Sequence, residues 1–252
     1  MDKPVTAVLG LGRDVGAAIA RRLTEAGHDI MIADADQAKI DEAVDGLTRE
    51  AATHHGDLHT RLGLRNCLAT ALEAYGRIDN VVIVPPIPKP SDLMGLDMEG
   101  FDKALARSSR GAVLALRIFS EHFASQEDLP GAAIERARQK GTITFILKLT
   151  AQFSNPGQFT ESVTQHAILG VMRAGAVELA TSDVRCNAVV AIRPRAEEDE
   201  PWVRTRTPLR RAATADEIAD AAIYLASPES AIITGQTLVL DGGRSVLGGV
   251  LE

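Results

Sequence analysis

Two stretches of this chain carry residue types that could do chemistry at a useful spacing. The first is GLGRDVG, residues 10–16, set between the apolar run TAVLG and a helical pattern that begins at Val15. A glycine there lets the backbone turn tightly and approach a pyrophosphate. A helix starting directly after it offers unpaired N–H groups and the positive end of its dipole. Gly10, Gly12, Arg13, Val15 and Gly16 are thus candidates for a phosphate cradle. Asp34 follows at the end of the next apolar run, HDIMIA. A carboxylate at that place accepts bonds from the adenosine ribose hydroxyls and repels a 2′-phosphate, which favours NAD. Arg13 pulls the other way, since a cation in the loop could meet a 2′-phosphate, so NADP stays open. Asp34 has a second reading as the cap of the helix within ADADQAKI.

The second stretch is QFTESVTQHAILG, residues 158–170, at the head of a long pattern rich in small residues. It holds Glu161 and His166 but no tyrosine, lysine or cysteine. His166 reads as an interface or surface histidine. Ala167, Gly170 and Ala174 recur at helical spacing and predict a flat strip suited to close helix packing.

The elements that must position these residues alternate along the chain. TAVLG (6–10), HDIMIA (28–33), RIDNVVIV (77–84), GTITFILKL (141–149), VRCNAVVAI (184–192) and QTLVLDGG (236–243) read as buried strands. Between them, 15–27, 38–52, 61–76, 101–123 and 215–227 place apolar residues at helical spacing. That alternation predicts an α/β fold: one doubly wound Rossmann-type domain over 1–252, a parallel sheet of about seven strands with helices on both faces. Residues 125–141 read as a polar, helix-like connection. Residues 193–214, RPRAEEDEPWVRTRTPLRRAAT, read as a charged loop, either a solvated surface or a lid whose arginines recognise an anionic substrate.

Composition bounds the partners. The net charge of −7 gives no long-range attraction for nucleic acid or an anionic membrane surface. No stretch approaches eighteen apolar residues and MDKPVTAVLG has no leader pattern, so a soluble cytoplasmic protein is expected. Cys67 and Cys186 are the only cysteines; with no CxxC pair, neither a disulfide framework nor a metal site is expected.

Along nearly its whole length the chain resembles the short-chain dehydrogenase/reductase family. PLRRAATADEIADAAIYLASPESAIITGQTLVLDGG (208–243) resembles that family's C-terminal signature, and VRCNAVV and AVELA resemble its sixth strand and the preceding helix. GHDIMIAD matches the second strand with its acidic end. GDL (56–58) resembles the place where an aspartate meets the adenine, which adds Asp57 and Leu58 to the candidate cofactor contacts.

The resemblance implies an oxidoreductase in which a tyrosine exchanges the reacting proton. A lysine four residues on lowers the tyrosine pKa and holds the ribose, a serine polarises the substrate oxygen, and an asparagine supports a water relay. Matched by position, the tyrosine falls on Glu161, the lysine on Gln165, the serine on Lys148 and the asparagine on Ser108. The only tyrosines, Tyr75 and Tyr224, lie far along the chain. IVPPI (83–87) replaces an Asn-Asn-Ala-Gly turn, AI (191–192) replaces Pro-Gly, Leu9 replaces a threonine, and Asp14 stands at the middle glycine.

A hydride transfer needs a proton partner for the substrate oxygen. Glu161 and Lys148 are the candidates, as a rebuilt acid/base pair or as a plain salt bridge, with Ser108 beside them. Asp14 lowers dinucleotide affinity unless it points outward or caps the helix. Pro85 and Pro86 remove backbone donors from the turn bordering the ribose. Three readings stay open: an NAD(P)-linked oxidoreductase on a small-molecule substrate, a non-catalytic dinucleotide-binding or structural partner, and a lyase or isomerase with Glu161 as base.

Overall fold

In the computed structural model, described over residues 3–127, 139–192 and 200–249, seven parallel strands form one sheet. They are β1 (Val5–Leu9), β2 (Asp29–Asp34), β3 (Ala52–His55), β4 (Asn80–Ile83), β5 (Gly141–Lys148), β6 (Val184–Ala191) and β7 (Thr237–Leu240), in the order β3-β2-β1-β4-β5-β6-β7. Strands β1, β4 and β6 are buried at every position, which is why they read as unbroken apolar runs. Edge strand β3 alternates between half-buried and exposed residues, so its four residues gave no apolar run to notice.

The helices are α1 (Val15–Glu25), α2 (Gln37–Asp45), α3 (Arg61–Tyr75), α4 (Met98–Leu105), α5 (Gly111–Ser125), α6 (Phe159–Leu179), α7 (Glu200–Arg206) and α8 (Ala215–Ala226). They divide between the two faces of the sheet. Residues of α1, α2 and α8 such as Ile19, Leu23, Ile40 and Ile218 close on Val8, Ile32 and Val189. On the other face Leu64, Phe119, Phe123 and Met172 of α3, α5 and α6 close on Leu9, Met31 and Phe145. One sheet thus carries two cores, and successive residues of a strand serve opposite ones.

Three sequence expectations change. The helical pattern over 38–52 ends at Asp45, because Ala52 already belongs to β3. The pattern over 101–123 is two helices joined by a π-helical turn at Ala106–Arg110, which displaces Ser108 from regular α spacing. Within the charged segment 193–214, residues Glu200–Arg206 are helical rather than looped. Residues 193–199, with Arg193 and Arg195, and residues 128–138 of the polar connection lie outside the described residues. No described helix is long and apolar enough to cross a membrane.

Candidate functional site

The strand order reverses between β1 and β4, and crevices at the carboxyl ends of strands near such a point are where open α/β sheets hold ligands. A cleft of about 900 Å³ lies there, running from Asp34 and the glycine loop to Lys148.

At the first end the loop is built by backbone geometry. Gly10 has φ +86°, and a Cβ on it would sit 2.4 Å from the Val84 carbonyl oxygen, so only glycine fits between β1 and the segment leaving β4. A Cβ on Gly16 would meet Leu11 Cα at 2.5 Å, and the Gly16 amide donates to the Leu11 carbonyl at 3.0 Å. Gly12, Arg13 and Val15 line the cleft, while Gly16 holds the turn from behind. The first-turn amides of α1 have no intrahelical acceptors, as at any helix start. Asp14 occupies the N-cap position, but its side chain makes no capping bond, so the capping reading is corrected. The carboxylate is instead exposed on the cleft rim.

Asp34 accepts the Leu11 amide on Oδ2 at 2.7 Å and the Asp36 amide on Oδ1 at 2.9 Å. It braces the glycine loop and does not cap α2; Asp36 does that, accepting from the Ala38 amide. Lys39 donates from Nζ to the Gly12 carbonyl at 2.8 Å. The loop is therefore gripped by a carboxylate on one residue and an ammonium on the next. Leu58 lines the cleft, but exposed Asp57 turns back to accept the His59 amide at 2.8 Å. His59 also lines the cleft. Burial pushes its pKa down, with Asp57 pulling it up and Arg107 adding to the fall. Sequence reasoning missed Lys39 and His59, since neither belongs to a motif; only the fold brings them to the loop.

At the other end Lys148, Glu161 and Gln165 meet each other. Lys148 Nζ lies 3.2 Å from Glu161 Oε1, which also accepts the Thr150 hydroxyl at 2.9 Å. Glu161 is fully buried and does not line the cleft, whereas the Lys148 side chain is 19% exposed and does. Gln165 accepts the Lys148 amide on Oε1 at 2.9 Å, and its buried Nε2 finds no hydrogen-bond partner among the described residues. Ser108 lines the cleft but donates its hydroxyl to the Ala104 carbonyl at 2.5 Å, inside its own helical turn.

The tyrosines stay away from this centre. Tyr75 OH accepts the Ala52 amide and donates to the Ile30 carbonyl, and Tyr224 is exposed on α8. His166 is exposed, with Nδ1 at 2.8 Å from the Ser162 carbonyl. Cys67 and Cys186 are free and buried, and burial pushes both thiols up to about 12. No His/Cys/Asp/Glu group among the described residues is arranged to hold a metal.

The arginines of 200–214 are engaged elsewhere. Arg211 makes two bonds to Glu217, at 2.7 and 2.6 Å, and the Glu217 carboxyl drops to about 2 through Arg211 and the Thr214 amide. The guanidinium carbons of Arg206 and Arg244 lie 5.7 and 4.4 Å from the Trp202 ring centre. None of these arginines lines the cleft.

With this geometry in view, the comparisons fall on one family. The family described as Enoyl-(Acyl carrier protein) reductase matches residues 10–245. The chain belongs to the short-chain dehydrogenase/reductase family. It is 26% identical over 260 residues to Short-chain dehydrogenase reductase 5 of Arabidopsis thaliana, covering 98% of this chain and 96% of that one. To Glucose 1-dehydrogenase of Gluconobacter oxydans it is 26% identical over 254 residues, covering 96% and 91%. Among solved structures, the 3-ketoacyl-(acyl-carrier-protein) reductase of Brucella melitensis complexed with NADH superimposes with a TM-score of 0.84 at 25% identity. That likeness covers 96% of this chain and 98% of the other.

The cleft also passes a physical test for a nicotinamide dinucleotide. Gly10 and Gly16, where a Cβ would strike neighbouring backbone, let the loop turn tightly enough for Gly10 and Gly12 to line the cleft, and the start of α1 opens beside the braced loop.

Proposed function

We propose that this chain is an NAD-binding oxidoreductase of the family in which the proton partner is Lys148. The observation that carries this is the Lys148 ammonium lining the cleft against a fully buried Glu161. A bound nicotinamide dinucleotide supplies or accepts a hydride. Gly10, Gly12, Arg13 and Val15 would hold its phosphates, and Asp34 and Leu58 its adenosine. In the reductive direction Lys148 Nζ gives a proton to the carbonyl oxygen of the substrate and regains one from solvent, to which part of its side chain is open. Glu161 is the positioning residue, fixing the ammonium at the end of β5, and its absence from the cleft lining argues against a lyase or isomerase that uses it as base. The Ser108 hydroxyl, spent on Ala104, has no proton role in this scheme. NAD is favoured because Asp34 fills the ribose end, while Arg13 leaves NADP weaker but not excluded.

Lys148→Met is expected to lower turnover on a carbonyl and alcohol panel by about 10²–10⁴-fold while leaving NADH affinity unchanged. Glu161→Gln should displace the pH–rate profile, an effect a merely structural contact would not produce. Turnover in Lys148→Met equal to the parent would overturn the assignment.

A second reading, a dinucleotide-binding protein without turnover, draws on the same centre: the ammonium is tied to Glu161 and the Gln165 amide faces inward. Binding of NADH with no turnover across the panel is its mark. The exposed Gly170 and Ala174 on α6 support a homodimer or homotetramer, and two buried unpaired thiols support a cytoplasmic setting.

A further inference from the structure

Away from the cleft, two arginines meet at one tryptophan. Along residues 202–207 the buried positions are Val203 and Thr207, while Trp202 and Arg206, also four apart, face outward. Arg206 is exposed and Trp202 is 38% exposed. Arg244 comes from the turn Arg244–Val246 that follows β7. Its guanidinium carbon lies 4.4 Å from the Trp202 ring centre, against 5.7 Å for that of Arg206. Each contact is a cation–π pair, and the two cations share a single ring.

The backbone fixes this meeting. A Cβ on Gly242, whose φ is +62°, would lie 2.6 Å from Thr207 Cγ2, so the turn after β7 sits close against the end of α7. The Leu209 amide donates to the Gly242 carbonyl at 3.0 Å, and Arg244 Nη1 donates to the Arg206 carbonyl at 2.9 Å. That bond uses only Nη1. Arg244 Nε and Nη2 form the edge that matches two oxygens of one anion, and they have no hydrogen bond among the described residues. The Arg206 guanidinium has none either.

Among the described residues no carboxylate forms an ion pair with Arg206 or Arg244. Arg211, by contrast, is closed by Glu217 through two bonds. Asp241 turns its carboxylate to the amides of Gly243 and Ser245, at 2.9 and 2.6 Å. Burial pushes the Arg244 pKa down and Arg206 pushes it further, with Asp241 opposing them in part. Two like charges held on one ring, with their remaining donors unspent, form an arrangement that a doubly charged oxyanion completes.

We infer that Arg206, Arg244 and Trp202 form a binding site for a phosphate group, which joins α7 to the turn after β7. None of the three lines the cleft, so the site stands apart from the dinucleotide and from the oxidoreductase reading. The dianion takes the Nε–Nη2 edge of Arg244 and the donors of Arg206. Its charge of about −1.5 to −2 at neutral pH matches two guanidinium groups, where a single carboxylate would leave one unanswered.

Trp202 is the only tryptophan in the chain, so tryptophan fluorescence reads this site directly. Titration with inorganic phosphate and with glycerol phosphate, at ionic strength held constant with chloride, should give a saturable change. The probe that binds more tightly tells whether the site takes the free ion or the phosphoryl group of a larger molecule. Arg206→Met and Arg244→Met should each weaken binding by about tenfold or more. Arg206→Lys, which keeps the charge without the planar fork, should weaken it as well. Arg211→Met, which removes an arginine already closed by Glu217, should keep the parental affinity. Phosphate should raise the melting temperature of the parent and of neither Met variant at these two sites. If Arg244→Met fails to fold, Arg206→Met decides, because its side chain makes no hydrogen bond to any described residue. No saturable change, a response that chloride reproduces, or equal affinity in the parent and Arg206→Met overturns the inference. Competition between phosphate and NAD would place the anion in the cleft and overturn it too.

Discussion

The two ends of the cleft differ in what does their work. At the Asp34 end, the groups that matter are backbone: a glycine at φ +86°, the amides opening α1, and a carboxylate and an ammonium that each grip the loop's main chain. Side chains there can vary without removing the cradle. At the Lys148 end the groups that could react are side chains, so a change of side chain changes what the site can do. The likeness of a fold over 95% or more of two chains therefore speaks for the first end and is silent on the second.

The sharpest way to break the comparison is at Glu161. Glu161→Ala removes the fully buried partner of the ion pair and leaves an ammonium that lines the cleft and can reach water, a loss of about 1–3 kcal/mol. Urea unfolding should show a loss of that order. Lys148→Met, which leaves the buried Glu161 carboxylate without its ammonium, should also lose stability. The double replacement Lys148→Met with Glu161→Leu should recover much of it. Equal stabilities across the series would mean that the pair does not form.

Gly10→Ala attacks the opposite end. Its Cβ has no room beside the Val84 carbonyl, and its φ is one that L side chains rarely adopt, so a loss of at least about 1 kcal/mol is expected. NADH affinity should fall about tenfold or more. The same substitution at Gly170, in the middle of α6 where a Cβ meets nothing within 4 Å, should raise stability by about 0.5–1 kcal/mol and leave NADH affinity unchanged in the monomer. If Gly10→Ala bound NADH normally, the cradle would not depend on that turn.

A smaller effect separates the fold from either end. His28 packs beside Thr6 with Nδ1 2.8 Å from the hydroxyl, and burial lowers its pKa from 6.5. A base whose folded pKa is depressed binds fewer protons folded than unfolded. Its stabilising effect is therefore full above the unfolded value, near 6.5, and falls as pH drops from there toward the folded one. Melting temperature should decline as pH is lowered below about 6.5, and His28→Gln should make that decline shallower. An identical pH dependence in the variant would contradict the burial argument.

Much of this was legible in the sequence because the sheet is buried on both sides. Runs such as TAVLG and VRCNAVVAI can be recognised without partners, and the glycine loop is local to a single strand–helix turn. Strand β3 was not legible, since an edge strand of four alternating residues looks like the tail of a helix. The π-helical turn at 106–110 was hidden inside a continuous apolar pattern. The sequence allows a Lys148–Glu161 salt bridge, but the twelve intervening positions carry no sign of which partner would face the cleft. Burial decided that, and burial is a property of packed elements. Lys39 and His59 became visible only when α2 and the turn after β3 were set beside the glycine loop.

The central claim is that the dinucleotide end is kept while the proton chemistry has passed to Lys148. Calorimetric titration of NADH into the parent, Gly10→Ala and Lys148→Met tests it most directly. The account predicts micromolar binding to the parent and to Lys148→Met alike, with weaker NADPH and a marked loss in Gly10→Ala. No binding to the parent would contradict it, and would mean that the exposed Asp14 and the Pro85–Pro86 turn have closed the site to dinucleotides.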